Sequence, residues 1–148
     1  MKKNFVIPLI ASIVMGFVSA QIIYSQYLKN IEKNKYNGYL IQAGVYTTKE
    51  SLDDACEDLD KYLVVEEAGK YYLYLGITSD SMNANKIKTM YANNEVDVYI
   101  KPTIIDNVEF ISNLEQYDVL INGVEGFEDI KSISETALSE YQEMVLGK

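Results

Sequence analysis

The chain has no histidine, arginine or tryptophan, and only one cysteine and two prolines among its 148 residues. Without histidine it can build neither a Ser-His or Cys-His nucleophile pair nor an imidazole metal ligand. Without arginine it lacks the bidentate group that often holds a phosphate. The single Cys56 excludes an intramolecular disulfide, and the acidic residues around it should raise its pKa. The sequence therefore predicts a protein that is not an enzyme and uses no metal or other cofactor.

The chain is strongly acidic. From residue 39 onward, 8 lysines face 21 Asp and Glu residues, a net charge near −13. Such a surface repels nucleic-acid phosphates and anionic lipids, so no nucleic-acid partner is expected. The acidic residues of the stretch LDDACEDLD follow helical spacing and lack the glycine turn of a calcium loop. They are predicted to form a solvated helix face.

An apolar segment lies near the beginning of the sequence. Residues 5–24 number 20, and at a rise of about 1.5 Å each they reach about 30 Å, the thickness of a bilayer core. Two lysines precede the segment and place the following chain outside the cytoplasm. Residues 1–24 are thus predicted to be a single-pass anchor in the cell membrane, and residues 25–38 a linker. The alternative is a signal peptide cleaved near Ala20, which would give a secreted protein.

A unit of strand, glycine, turn, helix and strand occurs twice, and a shift of 32 residues aligns Gly44 with Gly76. The strands YLIQAGVYTT and YYLYLGITSD open the two copies. The helical stretches KESLDDACEDLDKY and SMNANKIKTMYANN follow, and the strands YLVVEE and EVDVYIK close them. This order predicts an α+β protein with a ferredoxin-like split βαβ fold (βαββαβ): a four-stranded antiparallel sheet with two helices on one face.

Alternation along the strands assigns the side chains to two faces. The helix-covered face is expected to carry Ile41, Ala43, Val45, Tyr71, Leu73 and Leu75. Gln42, Tyr72 and Tyr74 then belong to the opposite face, which is predicted to be open to solvent or ligand. Tyr99 of the last strand could extend this open face, although Val96, Val98 and Ile100 alternate with it.

A strand of the form aromatic-apolar-Gln-apolar-Gly before a helix, here Tyr39 to Gly44, resembles the start of the SPOR domain, a bacterial module that binds septal peptidoglycan. The stretch from Tyr71 to Gly76 is similar to the second half of the same motif. The resemblance covers residues 38–103, and it implies binding of peptidoglycan glycan strands stripped of stem peptides. This chain departs from the family where arginine often stands on the third strand, because it has Tyr72 and Tyr74 there.

The candidate glycan-binding residues are therefore Gln42, Tyr72, Tyr74 and Tyr99. The Gln amide can donate to and accept from sugar hydroxyl and N-acetyl groups. The tyrosine rings can stack on sugar faces. The alternative is that these tyrosines are strand formers on a solvated face.

The last part, residues 104–148, is predicted to form a helical hairpin whose first helix begins with a capping box at Asp106 and Glu109. It could pack against the domain at 39–103, or dock an envelope protein partner. The sequence thus predicts a membrane-anchored, extracytoplasmic SPOR-like domain that binds glycan strands in cell-envelope, division or sporulation processes. The alternative is a protein-interaction module that assembles an envelope or sporulation membrane complex without binding glycan.

Overall fold

Residues 36–148 are described by a computed structural model. Their elements in chain order are β1 (Gly38–Tyr46), α1 (Lys49–Cys56), β2 (Leu63–Glu67), β3 (Lys70–Thr78), α2 (Ser81–Asn93), β4 (Tyr99–Thr103), α3 (Val108–Asn122) and α4 (Phe127–Met144). The predicted anchor and most of the predicted linker lie outside the described residues. Within residues 36–148, every helix is too short or too polar to span a bilayer.

The four strands form one sheet in the order β2-β3-β1-β4, and all three neighbouring pairs are antiparallel. This is the pairing of a split βαβ arrangement, as the repeat predicted. The turn between β2 and β3 contains Ala68 (φ 51°) and Gly69 (φ 74°). Two consecutive residues with positive φ give the tight, strongly twisted turn that suits a two-residue hairpin.

The helices begin where short polar side chains cap them. Thr48 Oγ1 accepts from Ser51 N at 3.2 Å, and Asp80 Oδ1 accepts from Met82 N at 2.7 Å. Helix α1 ends at Cys56, earlier than predicted. The acidic residues Glu57, Asp58 and Asp60 follow it, and negative charge at a helix C-terminus opposes the helix dipole.

The predicted hairpin is present as α3 and α4, but the predicted capping box is wrong. Asn107 caps α3 instead, with its Oδ1 accepting from Phe110 N at 2.9 Å. Asn107 also donates to the carbonyl of Met144 at 3.1 Å, so the same side chain ties the start of α3 to the end of α4.

Both faces of the sheet are covered in its centre. Leu40 and Ile41 are consecutive in β1, point to opposite faces, and are 5% and 0% exposed. One cluster joins Leu40, Leu63, Tyr74 and Ile77 to side chains of the hairpin: Phe110, Leu114, Ala137, Leu138 and Tyr141. A second joins Ile41 and Leu75 to Ala84, Ile87 and Tyr91 of α2, with Ile121 and Ile130 added from the hairpin. The prediction that the second face is open is therefore wrong, because the hairpin packs on it.

Helix α4 approaches β3 closely at Gly76. A Cβ atom built there would overlap Ser134 Oγ and would lie 3.1 Å from Ser134 Cβ. Only glycine permits this distance between a strand and a helix. Gly44 and Gly76 both lie inside their strands, since β1 and β3 each continue two residues further.

A buried carboxylate fastens the hairpin to the turn after β3. Asp118 of α3 is 6% exposed and accepts from Ser79 N at 2.9 Å and from the hydroxyls of Thr78 and Ser79. Asn83 Nδ2 adds a contact of 3.2 Å to the carbonyl of Asp118. The burial of this charge is compensated by several donors, as a buried carboxylate requires.

Candidate glycan-binding face of the sheet

The four residues selected from the sequence lie on one face of the sheet. Cross-strand partners share a face. Gln42 is paired with Tyr74 on one side and with Tyr99 on the other. Leu40 is paired with Lys101 in the same regular β1–β4 register, so Lys101 belongs to this face as well. We call Gln42, Tyr72, Tyr74, Tyr99 and Lys101 the sheet patch.

Tyr74 forms the base of the sheet patch rather than its surface. Its side chain is 2% exposed and packs in the cluster beneath the hairpin. The expectation that Tyr74 lies on an open face is wrong, because α4 covers it and Tyr141 packs in the same cluster. The Tyr74 hydroxyl accepts a hydrogen bond from Lys101 Nζ at 2.9 Å.

Lys101 holds its ammonium group between two tyrosines. Its Nζ lies 4.6 Å from the centre of the Tyr72 ring and 5.6 Å from that of Tyr74, within the range of cation–π attraction. The pKa of Lys101 is raised, chiefly by the hydrogen bond to the Tyr74 hydroxyl, although partial burial acts in the opposite direction. The sheet patch therefore carries a fixed positive charge in a strongly acidic domain.

The solvent-facing part of the patch lies beyond the hairpin. Tyr99 is 64% exposed, and Val45, which pairs with Tyr72 on this face, is 43% exposed. The prediction that Val45 lies on the helix-covered face is wrong, because the register of β1 shifts between Gln42 and Gly44. Gln42 and Tyr72 are half-buried. The chain thus presents an aromatic ring, an amide and an ammonium group on a shallow surface.

A cleft of about 290 Å³ opens next to Tyr99. It is lined by Gln42, Ala43, Gly44, Lys88, Asp97, Val98 and Tyr99. The pairing of β1 with β4 ends at Gln42, whereas β1 continues to Tyr46. The cleft therefore forms where β1 extends past the beginning of β4.

Sequence reasoning missed Lys101, Lys88 and Asp97. Lys101 had a usable signal, because it lies two residues after Tyr99 on the same strand and so shares its face. Lys88 and Asp97 had no such signal in the sequence, since their shared position at the cleft depends on how α2 crosses the sheet. The side of Tyr99, which the alternation left open, is settled by its pairing with Gln42.

The acidic residues near α1 are solvent-exposed, as predicted. Within residues 36–148, no three Asp, Glu or Cys side chains come together as a metal site. The pKa of Cys56 is raised, as expected, but mainly by burial; Asp53 contributes less, and a hydrogen bond with Tyr62 acts in the opposite direction.

Comparison with known proteins gives little to add to this geometry. No protein-family model matches the chain, and no curated protein matches it. The chain is similar to the solution structure of the peptidoglycan binding domain of the B. subtilis cell wall lytic enzyme CwlC, at 23% identity and a TM-score of 0.37. The match covers 45% of this chain and 89% of that one. A likeness this low assigns neither a fold nor a function to this chain.

Proposed function

We propose that this chain is a membrane-anchored, extracytoplasmic protein that binds the glycan strands of peptidoglycan through the sheet patch. The observation that carries the proposal is the exposed ring of Tyr99 beside the amide of Gln42, both outside the area covered by the hairpin. An aromatic ring can stack on the apolar face of a sugar, and an amide serves hydroxyl and N-acetyl groups as both donor and acceptor. A shallow surface of this kind suits a long polymer better than a small molecule.

Lys101 supplies a positive charge next to Tyr72 and Tyr74 of β3. The SPOR resemblance leads one to expect arginine on the third strand, where Tyr72 and Tyr74 stand. The ammonium group of Lys101 reaches these two rings from β4. It retains donors beyond its bond to Tyr74, because a lysine ammonium carries three. These donors can serve sugar oxygens or a carboxylate on the glycan.

The charge of the domain argues against a polyanionic partner. A net charge near −13 from residue 39 onward disfavours nucleic acids and anionic membrane surfaces. The apolar residues 5–24 support anchoring in the cell membrane, with residues 36–148 on the outer side. In this proposal the protein is a binding module without catalytic activity.

The test is cosedimentation of the full chain with purified peptidoglycan sacculi. We expect the double variant Gln42→Ala/Tyr99→Ala to bind at least about tenfold more weakly, since an aromatic contact and a hydrogen bond each contribute about 1 kcal/mol. Both side chains lie outside the two core clusters, so the thermal transition should be unchanged.

A matched control is Tyr62→Ala. Tyr62 is 42% exposed and precedes β2, at the opposite edge of the sheet from Tyr99. Its removal should leave sacculus binding intact. Equal binding by the wild type and the Gln42/Tyr99 variant would refute glycan recognition by the sheet patch.

The second candidate is an interaction module, and a specific observation favours it. Four aliphatic side chains on or before α3 are exposed: Ile104 (54%), Val108 (81%), Val119 (69%) and Leu120 (55%). Exposed apolar side chains on one element are typical of surfaces that contact another protein. In this case the chain would assemble with envelope proteins through α3. The double variant Val108→Ser/Val119→Ser would then lose the assembly and keep its binding to sacculi.

A further inference from the structure

The cleft beside the sheet patch carries two opposite charges that have no partner. Lys88 of α2 and Asp97, which precedes β4, both line it. Within residues 36–148 the only ion pair is that of Lys131 and Glu135, and neither cleft residue makes a hydrogen bond through its side chain. The two charges therefore face the same space without neutralising each other.

The backbone at the cleft is also available. The β1–β4 ladder ends with the pair Gln42 and Tyr99, and β1 runs on to Tyr46. On the side where β4 pairs with it, β1 has no neighbouring strand from Gly44 onward among the described residues. Main-chain groups on such an edge can pair with an extended peptide.

Taken together, these features describe a ligand with three properties. It carries an ammonium group for Asp97, a carboxylate for Lys88, and amide groups for the edge of β1. A fully N-acetylated glycan has no ammonium group. A short peptide with an amino-acid head group that bears both charges has all three.

We propose that the cleft binds the zwitterionic end of a peptidoglycan stem peptide, namely a diamino-acid residue whose side chain ends in an ammonium and a carboxylate. The identity of the ligand rests on the proposed function, because the cleft shares Gln42 and Tyr99 with the sheet patch. The sheet patch then contacts the sugar, and the cleft binds the peptide attached to that sugar. The protein accordingly prefers glycan that still bears stem peptides, the opposite of what the SPOR resemblance implies.

The first arm of the test uses a soluble probe, γ-D-glutamyl-meso-diaminopimelate, titrated into the full chain by calorimetry. We expect binding that weakens about three- to fivefold in Lys88→Met and in Asp97→Asn, the effect of losing one exposed ion pair. Acetylation of the probe's side-chain amine should weaken the wild type by a similar factor. It should have no further effect on Asp97→Asn, because that variant has already lost the partner of the amine.

The second arm compares intact sacculi with sacculi from which an amidase has removed the stem peptides. The wild type should bind intact sacculi more tightly, and Lys88→Met should reduce that preference about three- to fivefold while keeping the binding to stripped glycan. Lys70→Met, at the start of β3 and away from the cleft, is the matched control. Absence of dipeptide binding, or tighter binding to stripped sacculi, would overturn the inference. If the wild type bound neither intact nor stripped sacculi, the proposed function itself would be overturned.

Discussion

Ser134 has a buried hydroxyl group without a hydrogen-bond partner, and it lies against Gly76 of β3. A buried, unsatisfied hydroxyl costs about 1–3 kcal/mol. We therefore expect Ser134→Ala to leave the free energy of unfolding unchanged or to raise it. Gly76→Ala should lower it by about 1–3 kcal/mol, because the new methyl group overlaps the helix.

The two changes should not be additive. In the double variant the Oγ atom is gone, and the nearest atoms to the new methyl group are the Cβ of residue 134 at 3.1 Å and Ile41 Cγ1 at 3.6 Å. Urea unfolding of the four proteins gives the coupling energy. Simple additivity would show that α4 does not lie against β3 at this point.

Tyr91 provides a prediction about alkaline pH. Burial, followed by the charges of Glu135 and Glu128, raises its pKa to about 12 from an ordinary value of 10. The folded state thus holds this proton more tightly than the unfolded state does. The associated stabilisation is complete below pH 10 and is lost as the pH rises toward 12. The Tyr91→Phe variant should lose less stability than the wild type over this interval, as measured by urea midpoints, and equal losses would contradict the assignment.

At the scale of elements, Lys86 joins α2 to the end of α3. Its Nζ donates to the carbonyl oxygens of Ile121 at 2.9 Å and of Val124 at 2.7 Å. A cation at these carbonyls opposes the negative end of the dipole of α3.

We expect Lys86→Met to lower the free energy of unfolding by about 1–2 kcal/mol, from two hydrogen bonds to a charged donor. Lys88→Met is the matched control, since Lys88 lies on the same helix and is exposed and unpaired. Its unfolding midpoint should equal that of the wild type. Equal losses in both variants would mean that the contacts of Lys86 contribute nothing specific.

The elements that could be predicted from sequence are those specified by local patterns. The alternation of apolar and polar residues, together with the repeat, predicted all four strands. The turn at Gly69 follows from the ease with which glycine adopts a positive φ. The covering of Tyr74 could not be predicted this way. The apolar stripe of α4 was visible, but whether such a stripe packs on its own sheet or on a partner is decided by tertiary contacts alone. The same holds for Lys88 and Asp97, which line one cleft only in the folded chain.

At the scale of the whole molecule, the hairpin is part of the core. Residues 36–148 form one compact unit, and the hairpin supplies half of the cluster around Tyr74. If the hairpin were an appendage, a chain that ends at Thr103 would fold. We expect that truncated chain to show no cooperative thermal transition, because Leu40, Tyr74 and Ile77 would be exposed together. A sharp transition by circular dichroism would contradict this.

The cluster around Tyr74 also has a consequence for biosynthesis. Its members run from Leu40 in the first strand to Tyr141 in the last helix. A ribosome releases β1 to β4 well before α4, so the nascent sheet has one apolar face with nothing to pack on. Contacts between such distant residues also form slowly. Stable folding must therefore wait for the last helix, and until then the chain is exposed to aggregation and proteolysis. A chaperone that shields the nascent sheet would act on the surface that α4 later occupies.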